Sequence, residues 1–172
     1  ADPINPSPRR NLALALEEVG RLAEAAEAYR ELIELEPQNA WAQFSSGRLE
    51  AAQGQLEQAI YHLRRAVDLV PGFKQARYEL ASTYKRSRRW DEALQQYDAV
   101  LELDLDFEKA RTNRAVALVA VGRRDEGLRA LRARVAAAPD DAMAWRSLSS
   151  TLRGEDRFQS PLESSWSVTE LP

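Results

Sequence analysis

The chain has no cysteine, which excludes disulfides, thiolate metal sites and thiol nucleophiles together. It has a single histidine, His62, between Tyr61 and Leu63. No second imidazole stands ready to join it on a metal, and no serine lies at a spacing that suggests a base partner. His62 therefore reads as a solvated residue on a helix surface. Long hydrophobic runs are also missing. The longest, Ala115 to Val121, is seven residues, far below the ~20 that a membrane-spanning helix needs, so membrane insertion is not expected. No glycine-rich loop is present to cradle a phosphate. A net charge of −3 gives no basic excess to draw the chain to nucleic acid. Neither an enzyme nor a bound cofactor or metal is expected. The N-terminal Ala1-Asp2-Pro3 fits a mature end after signal removal and a cloning remnant equally, so no compartment follows.

Glycine and proline are scarce, seven and eight of 172 residues, and they fall at regular places. The series Gly54, Leu56, Ala59, Leu63, Ala66, Leu69 and Pro71 has counterparts thirty-four residues earlier in Gly20, Leu22, Ala25, Tyr29, Leu32, Leu35 and Pro37. Thirty-four residues later come Arg88, Trp90, Ala93, Tyr97, Val100, Leu103 and Leu105, and a further step gives Gly122, Arg124, Gly127, Leu131, Arg134, Ala137 and Pro139. A fixed period without insertions marks a repeat protein, in which each unit buries its apolar faces against the next. The period is helical. Apolar residues recur three and four apart, glycine supplies the left-handed stop, and proline closes the second helix of each pair. The expected fold is all-α, an array of antiparallel helix pairs with about nine helices and no strand.

In chain order, residues 1–6 read as an extended lead-in, and Ser7-Pro8 as an N-cap with proline at the first helical position. Units follow at 6–39, 40–73, 74–107 and 108–141. The half unit 142–158 is expected to run as a helix to Arg153, turn at Gly154-Glu155-Asp156, and start again near Phe158. Leu12 and Leu16 are expected on the buried face of the first helix, and Leu22, Ala25, Tyr29, Leu32 and Leu35 on that of the second. Some positions break the pattern. Ser46 and Glu50 stand where sister helices carry Leu80 and Tyr84, and the bulk of that helix comes from Trp41, Phe44 and Leu49. Trp41 reads first as cover for a neighbouring helix. Arg88 occupies a glycine place and is expected at positive φ, at roughly 1 kcal/mol. Leu105 replaces a boundary proline. Arg114, Arg124, Gly127 and Arg134 fall on nominally buried positions, where arginine stems lie along apolar surface with their heads in water. The pairs Asp91-Glu92 and Asp125-Glu126 sit in first turns, where carboxylates favour the positive end of the helix dipole.

These residues resemble the tetratricopeptide repeat, a 34-residue helix-turn-helix unit with a Trp-x2-Leu-Gly-x2-Tyr signature. Trp145-x2-Leu148-Ser149-x2-Leu152 is similar to its first half. Ala59-x3-Leu63-x2-Ala66 closing at Pro71 is similar to its second, and Gly47 and Gly54 match the two glycines. The resemblance covers about residues 7–158. It implies a right-handed superhelix whose first helices line a concave groove, and a non-catalytic scaffold for protein–protein interaction. Positions 2, 5, 6, 9, 12 and 13 of each first helix face that groove. In this chain they place Trp41, Phe44, Arg48, Tyr78, Ser82, Lys85, Arg86, Lys109, Asn113 and Arg146 on it as candidate peptide-binding residues. The complete set, from Ser7 to Arg153, holds seven basic and three acidic side chains, a net +4 against −3 for the chain. The expected partner is a protein or peptide whose acidic residues flank an apolar anchor. The family's Lys-x3-Asn and Lys-x3-Arg clamp for a terminal carboxylate is not matched by Arg10-x3-Leu14 or Gln75-x3-Glu79, which disfavours chaperone tails. An architectural spacer, or a substrate-recognition segment of a longer enzyme, fits the same array. Residues 159–172 form a Ser/Pro-containing tail. Leu162, Trp166, Val168 and Leu171 with Glu163 and Glu170 give it a peptide-like composition, suited to covering the last helix or to self-association through a neighbour's groove.

Overall fold

A computed structural model describes residues 8–158 of the chain, and among them it contains nine helices and no strand. The helices are α1 (Pro8–Glu18), α2 (Leu22–Leu35), α3 (Ala40–Ala52), α4 (Leu56–Leu69), α5 (Lys74–Arg86), α6 (Trp90–Leu103), α7 (Glu108–Ala120), α8 (Arg124–Ala137) and α9 (Ala142–Phe158). The lead-in, the Ser7 cap and the tail with its self-association lie outside the described residues. One expected boundary is wrong. α9 continues as a single helix through Gly154, Glu155 and Asp156 to Phe158, with no turn there. A lone glycine costs a helix only about 1 kcal/mol, so it does not by itself end one.

Every turn from a first to a second helix is built the same way. Gly20, Gly54 and Gly122 have φ between 77° and 89°, and Arg88 has φ 60° in the corresponding place. The following amide reaches back over the turn: Arg21 N–H to Leu16 O at 2.8 Å, Gln55 to Glu50 at 2.9 Å, Arg89 to Tyr84 at 2.9 Å and Arg123 to Leu118 at 2.8 Å. This six-to-one bond needs a left-handed residue just before it. Arg88 accepts the strained backbone so that the turn keeps its shape.

The second kind of junction is held from the side chain. Gln43 Nε2, Arg77 Nε and Trp145 Nε1 occupy one place in three units. Each donates to the carbonyl of the boundary proline six residues earlier: Pro37 at 3.2 Å, Pro71 at 2.7 Å and Pro139 at 2.8 Å. Three different residue types supply one nitrogen at one point. First-helix caps differ in chemistry. Asn39 accepts from Ala42 N–H at 3.0 Å, and Asp141 from Met143 and Ala144 at 2.9 and 3.1 Å. Phe73 occupies the cap place before α5.

The structure divides at Ala110 and Arg111 into two compact units. In the first, α1 to α6 pack in sequence, each helix on the next. The buried interior includes Tyr29, Leu32, Leu63, Leu80, Tyr97 and Val100. Leu12, Leu22 and Leu35, expected inside, are 54%, 40% and 59% exposed. Leu12 lies on the face that α5 turns to α4 with Leu80, and no described helix precedes α1. Leu22 and Leu35 sit at the ends of α2, beyond the reach of its neighbours. In the second unit, Leu128, Leu131, Val135, Ala144 and Leu148 form the core. Gly127 is needed there, because a Cβ would fall 2.5 Å from the Ala115 carbonyl oxygen. The off-pattern arginines are absorbed by bonding: Arg134 meets Asp141 at 2.9 Å, and Arg124 reaches the Thr151 carbonyl at 3.5 Å.

Two substitutions test this account by chemical denaturation. Arg88→Gly should stabilise the chain by about 1 kcal/mol through relief of positive φ. Leu63→Ala, at a fully buried side chain, should cost roughly 2–5 kcal/mol.

Candidate functional site

In the first unit, Leu14, Glu17 and Glu18 of α1 and Trp41, Phe44, Ser45 and Arg48 of α3 line one cavity of about 370 Å³. All seven stand at places that the repeat numbering assigns to the inner face. Trp41 packs edge-on to Tyr29 at 5.4 Å between ring centres, and the Arg10 guanidinium lies 5.7 Å from its ring. It covers a neighbouring helix and lines the cavity at once. Arg48 is ion-paired with Glu17, whose other oxygen accepts from the Tyr29 hydroxyl at 3.0 Å. The cavity thus combines apolar walls, the Arg48–Glu17 pair and the carboxylate of Glu18.

The basic side chains gather one helix further on. Glu79 of α5 is half-buried, and burial raises its carboxyl above the usual range. The charges of Arg48, Lys109 and Arg86 act in the opposite direction. Arg86 donates to the Ala51 carbonyl at 2.6 Å. Lys85 is half-buried and its ammonium is lowered by desolvation. Lys109 is exposed. Sequence reasoning had Glu79 among the inner positions but missed its burial and the three cations whose charges act on it.

Phe44 and Tyr78, thirty-four residues apart, are each engaged by a phenylalanine at the next first-helix junction. Phe44 meets Phe73 at 4.9 Å, and Tyr78 meets Phe107 at 5.0 Å. The rings stand half-buried, with one side already committed. Ser82 Oγ lies 3.4 Å from the hydroxyl of Tyr97, whose pKa burial drives upward. In the second unit, Asn113 is only 7% exposed, while Arg146 of α9 is exposed.

His62 corrects the sequence reading. Its ring is half-buried, 2.7 Å from Gln43 Oε1 and 3.4 Å from Glu50 Oε1, with Ser46 alongside. The polar residues that broke the core pattern of α3 have found one another. The signal was present in the sequence: two polar residues on one apolar stripe of α3 call for a polar partner across the interface.

Tetratricopeptide-repeat models match residues 10–72 and 50–110. The chain belongs to the tetratricopeptide-repeat family. A tetratricopeptide-repeat protein from Parabacteroides merdae ATCC 43184 superposes with a TM-score of 0.80 at 21% identity, over 91% of this chain and 62% of that one. MamA from Desulfovibrio magneticus RS-1 does so at 0.72 and 17% identity, over 88% and 96%. The first such domain of Spaghetti (RPAP3), solved with the HSP90 peptide SRMEEVD, reaches 0.62 and 20%, over 69% and 94%. At these identities the likeness is one of fold. No curated protein matches the chain in sequence. Family membership sets this tetratricopeptide array among protein–protein interaction scaffolds. No helix of the described residues is long and apolar enough to cross a membrane.

Tyr29→Phe removes the hydroxyl that steadies Glu17 opposite Arg48. Urea denaturation should show a loss of about 1 kcal/mol, and an unchanged midpoint would mean that the hydroxyl does not hold this pair.

Proposed function

We propose that the first unit binds a peptide segment along α1, α3 and α5, with an apolar side chain in the cavity and acidic side chains on the neighbouring cations. The carrying observation is that Arg48 belongs to both features, lining the cavity and acting on Glu79 together with Arg86 and Lys109. Leu14, Trp41 and Phe44 offer the apolar wall, and Tyr78 and Ser82 continue it. Lys85, Arg86 and Lys109 face the carboxylates. Aromatic and arginine side chains are the types that dominate interface energetics when desolvated, and both kinds stand here within two helices. Taken by itself, the second unit offers the exposed Arg146 as a cation for a peptide of its own, with Asn113 as a supporting residue. The role is non-catalytic: a surface that recognises and holds.

Glu17 and Glu18 at the cavity make the α1 end less receptive to acids than the α5 end. The ligand should therefore lie with its apolar anchor toward α1 and its acids toward α5. SRMEEVD, bound by the Spaghetti domain, ends on a free carboxylate. The clamp residues for such an end are lacking here, so internal acidic segments should bind better than this peptide.

The test is fluorescence anisotropy with labelled peptides in which one leucine or phenylalanine is flanked by glutamates. Lys85→Glu with Arg86→Glu should weaken binding at least about tenfold, or about 1.4 kcal/mol. Arg64→Glu with Arg65→Glu, on α4, should leave it unchanged. Binding should also fall with salt, as attraction between exposed charges does. Equal binding by the two double variants would sink this reading.

A further inference from the structure

Away from that surface, α3 meets α4 through polar atoms where α5 uses Leu80 and Tyr84. Gln43 is 3% exposed, and its Nε2 donates to the Pro37 carbonyl at 3.2 Å. A carbonyl only accepts, so the amide is oriented by that bond, and Oε1 is the atom 2.7 Å from His62 Nδ1. Oε1 has no hydrogen to give, so Nδ1 must carry one. In a neutral imidazole that leaves Nε2 as a bare acceptor, 3.4 Å from Glu50 Oε1. Two acceptors then face one another unless a proton lies between them.

The surroundings do little for an ionised Glu50. Its Oε2 is buried with no hydrogen-bond partner, and Ser46 Oγ reaches Oε1 only at 3.4 Å. From α2, Arg30 acts on Glu50 at long range and is itself held by Glu27 at 2.7 Å. From α4, Tyr61 stands edge-on to the His62 ring at 5.0 Å and brings no charge to it. From α5, the Arg86 guanidinium donates to the Ala51 carbonyl, one residue along α3, and not to Glu50.

We infer that Glu50 and His62 hold one proton between them, resident on Glu50 as a carboxylic acid that donates to His62 Nε2, and that this proton is a pH-sensitive latch between α3 and α4. The ionisation tendencies agree in direction. Burial pushes Glu50 from 4.5 up to about 7, and burial lowers His62 from its ordinary 6.5. For Glu50 the folded value lies above the unfolded one, so its contribution is complete below 4.5 and is lost as pH rises through about 7. For His62 the folded value lies below the unfolded one, so its contribution is present above 6.5 and is lost as pH falls through the lowered value. From about 6.5 down to the lowered value of His62, the folded pair keeps its proton on Glu50 while the unfolded chain keeps one on His62. The latch is closed there and opens on either side.

Two measurements on the full chain test it. His62 is the only histidine, so its imidazole nitrogens are assigned without ambiguity by NMR. Near pH 6, Nδ1 should carry the hydrogen and Nε2 should be the bare nitrogen. The opposite tautomer, or an averaged ring that titrates at its ordinary value, overturns the inference. Glu50→Gln places an amide donor opposite Nε2 at every pH. Its melting temperature should exceed that of the parent by a few degrees at pH 8, and the gap should close by pH 5. A gap that stays constant across that range overturns the latch, whatever its size. The imidazole measurement needs no variant and decides the matter by itself if Glu50→Gln fails to fold.

Discussion

The array depends on how closely its helices approach one another, and small residues set that distance. Ala42, Ala76, Ala110 and Ala144 recur every thirty-four residues at the third place of the first helices from α3 onward, and all four are completely buried. Ala25, Ala59 and Ala93 do the same on the second helices, and Gly127 takes the fourth place. At Gly47 a Cβ would fall 2.7 Å from Leu63 Cγ and 3.0 Å from the Ala59 carbonyl. Larger side chains at these points would push the helices apart and leave the neighbouring leucines without close contacts, and packed interiors tolerate that poorly. Once the spacing is set, the left-handed turns and the bonds to the proline carbonyls fix the angle at which each helix departs.

Most of this was legible in the sequence, because a repeat states each rule several times. The turn glycines, Arg88 at positive φ and the buried Ala59–Leu63–Ala66 stripe follow from comparing one unit with the next. What a single unit does in its own way was harder to read. Leu12, Leu22 and Leu35 obey the pattern yet lie exposed, because a helix end or a face without a described neighbour has nothing to bury against. Gly154 looked like a stop, yet α9 runs through it. A turn needs a partner bond across it as well as a permissive residue, and composition shows only the second.

On the proposed binding side, the numbering of the repeat points to residues that share one cavity, Trp41, Phe44 and Arg48, but could not show how they are already engaged. Arg48 reads as a free cation in the sequence and is paired with Glu17 from a helix thirty-one residues earlier. Phe44 and Tyr78 read as open anchors, yet each leans on a phenylalanine from the following junction. Such contacts form between residues whose separation is not a helical period. The proposed ligand would meet aromatic rings held in place on one side and a cation that must exchange one carboxylate for another. The held rings favour affinity, since less side-chain entropy is lost on binding, and the paired cation favours selectivity, since an existing charge–charge attraction must be replaced.

The polar cluster of α3 and α4 shows the same logic turned inward. A buried leucine and tyrosine hold a neighbouring pair together without regard to direction or pH. Ser46, Glu50, Gln43 and His62 achieve contact at the same interface only in one geometry and one protonation state, because each acceptor must find a hydrogen. α3 carries this cluster on one face and Trp41, Phe44 and Arg48 on the other. The helix with the least regular core is therefore also one of the two that line the cavity. A uniform apolar stripe would have made α3 another interchangeable spacer. The polar one ties the wall of the cavity to a specific partner helix, so whatever alters the proton on Glu50 acts on the helix that a ligand would touch.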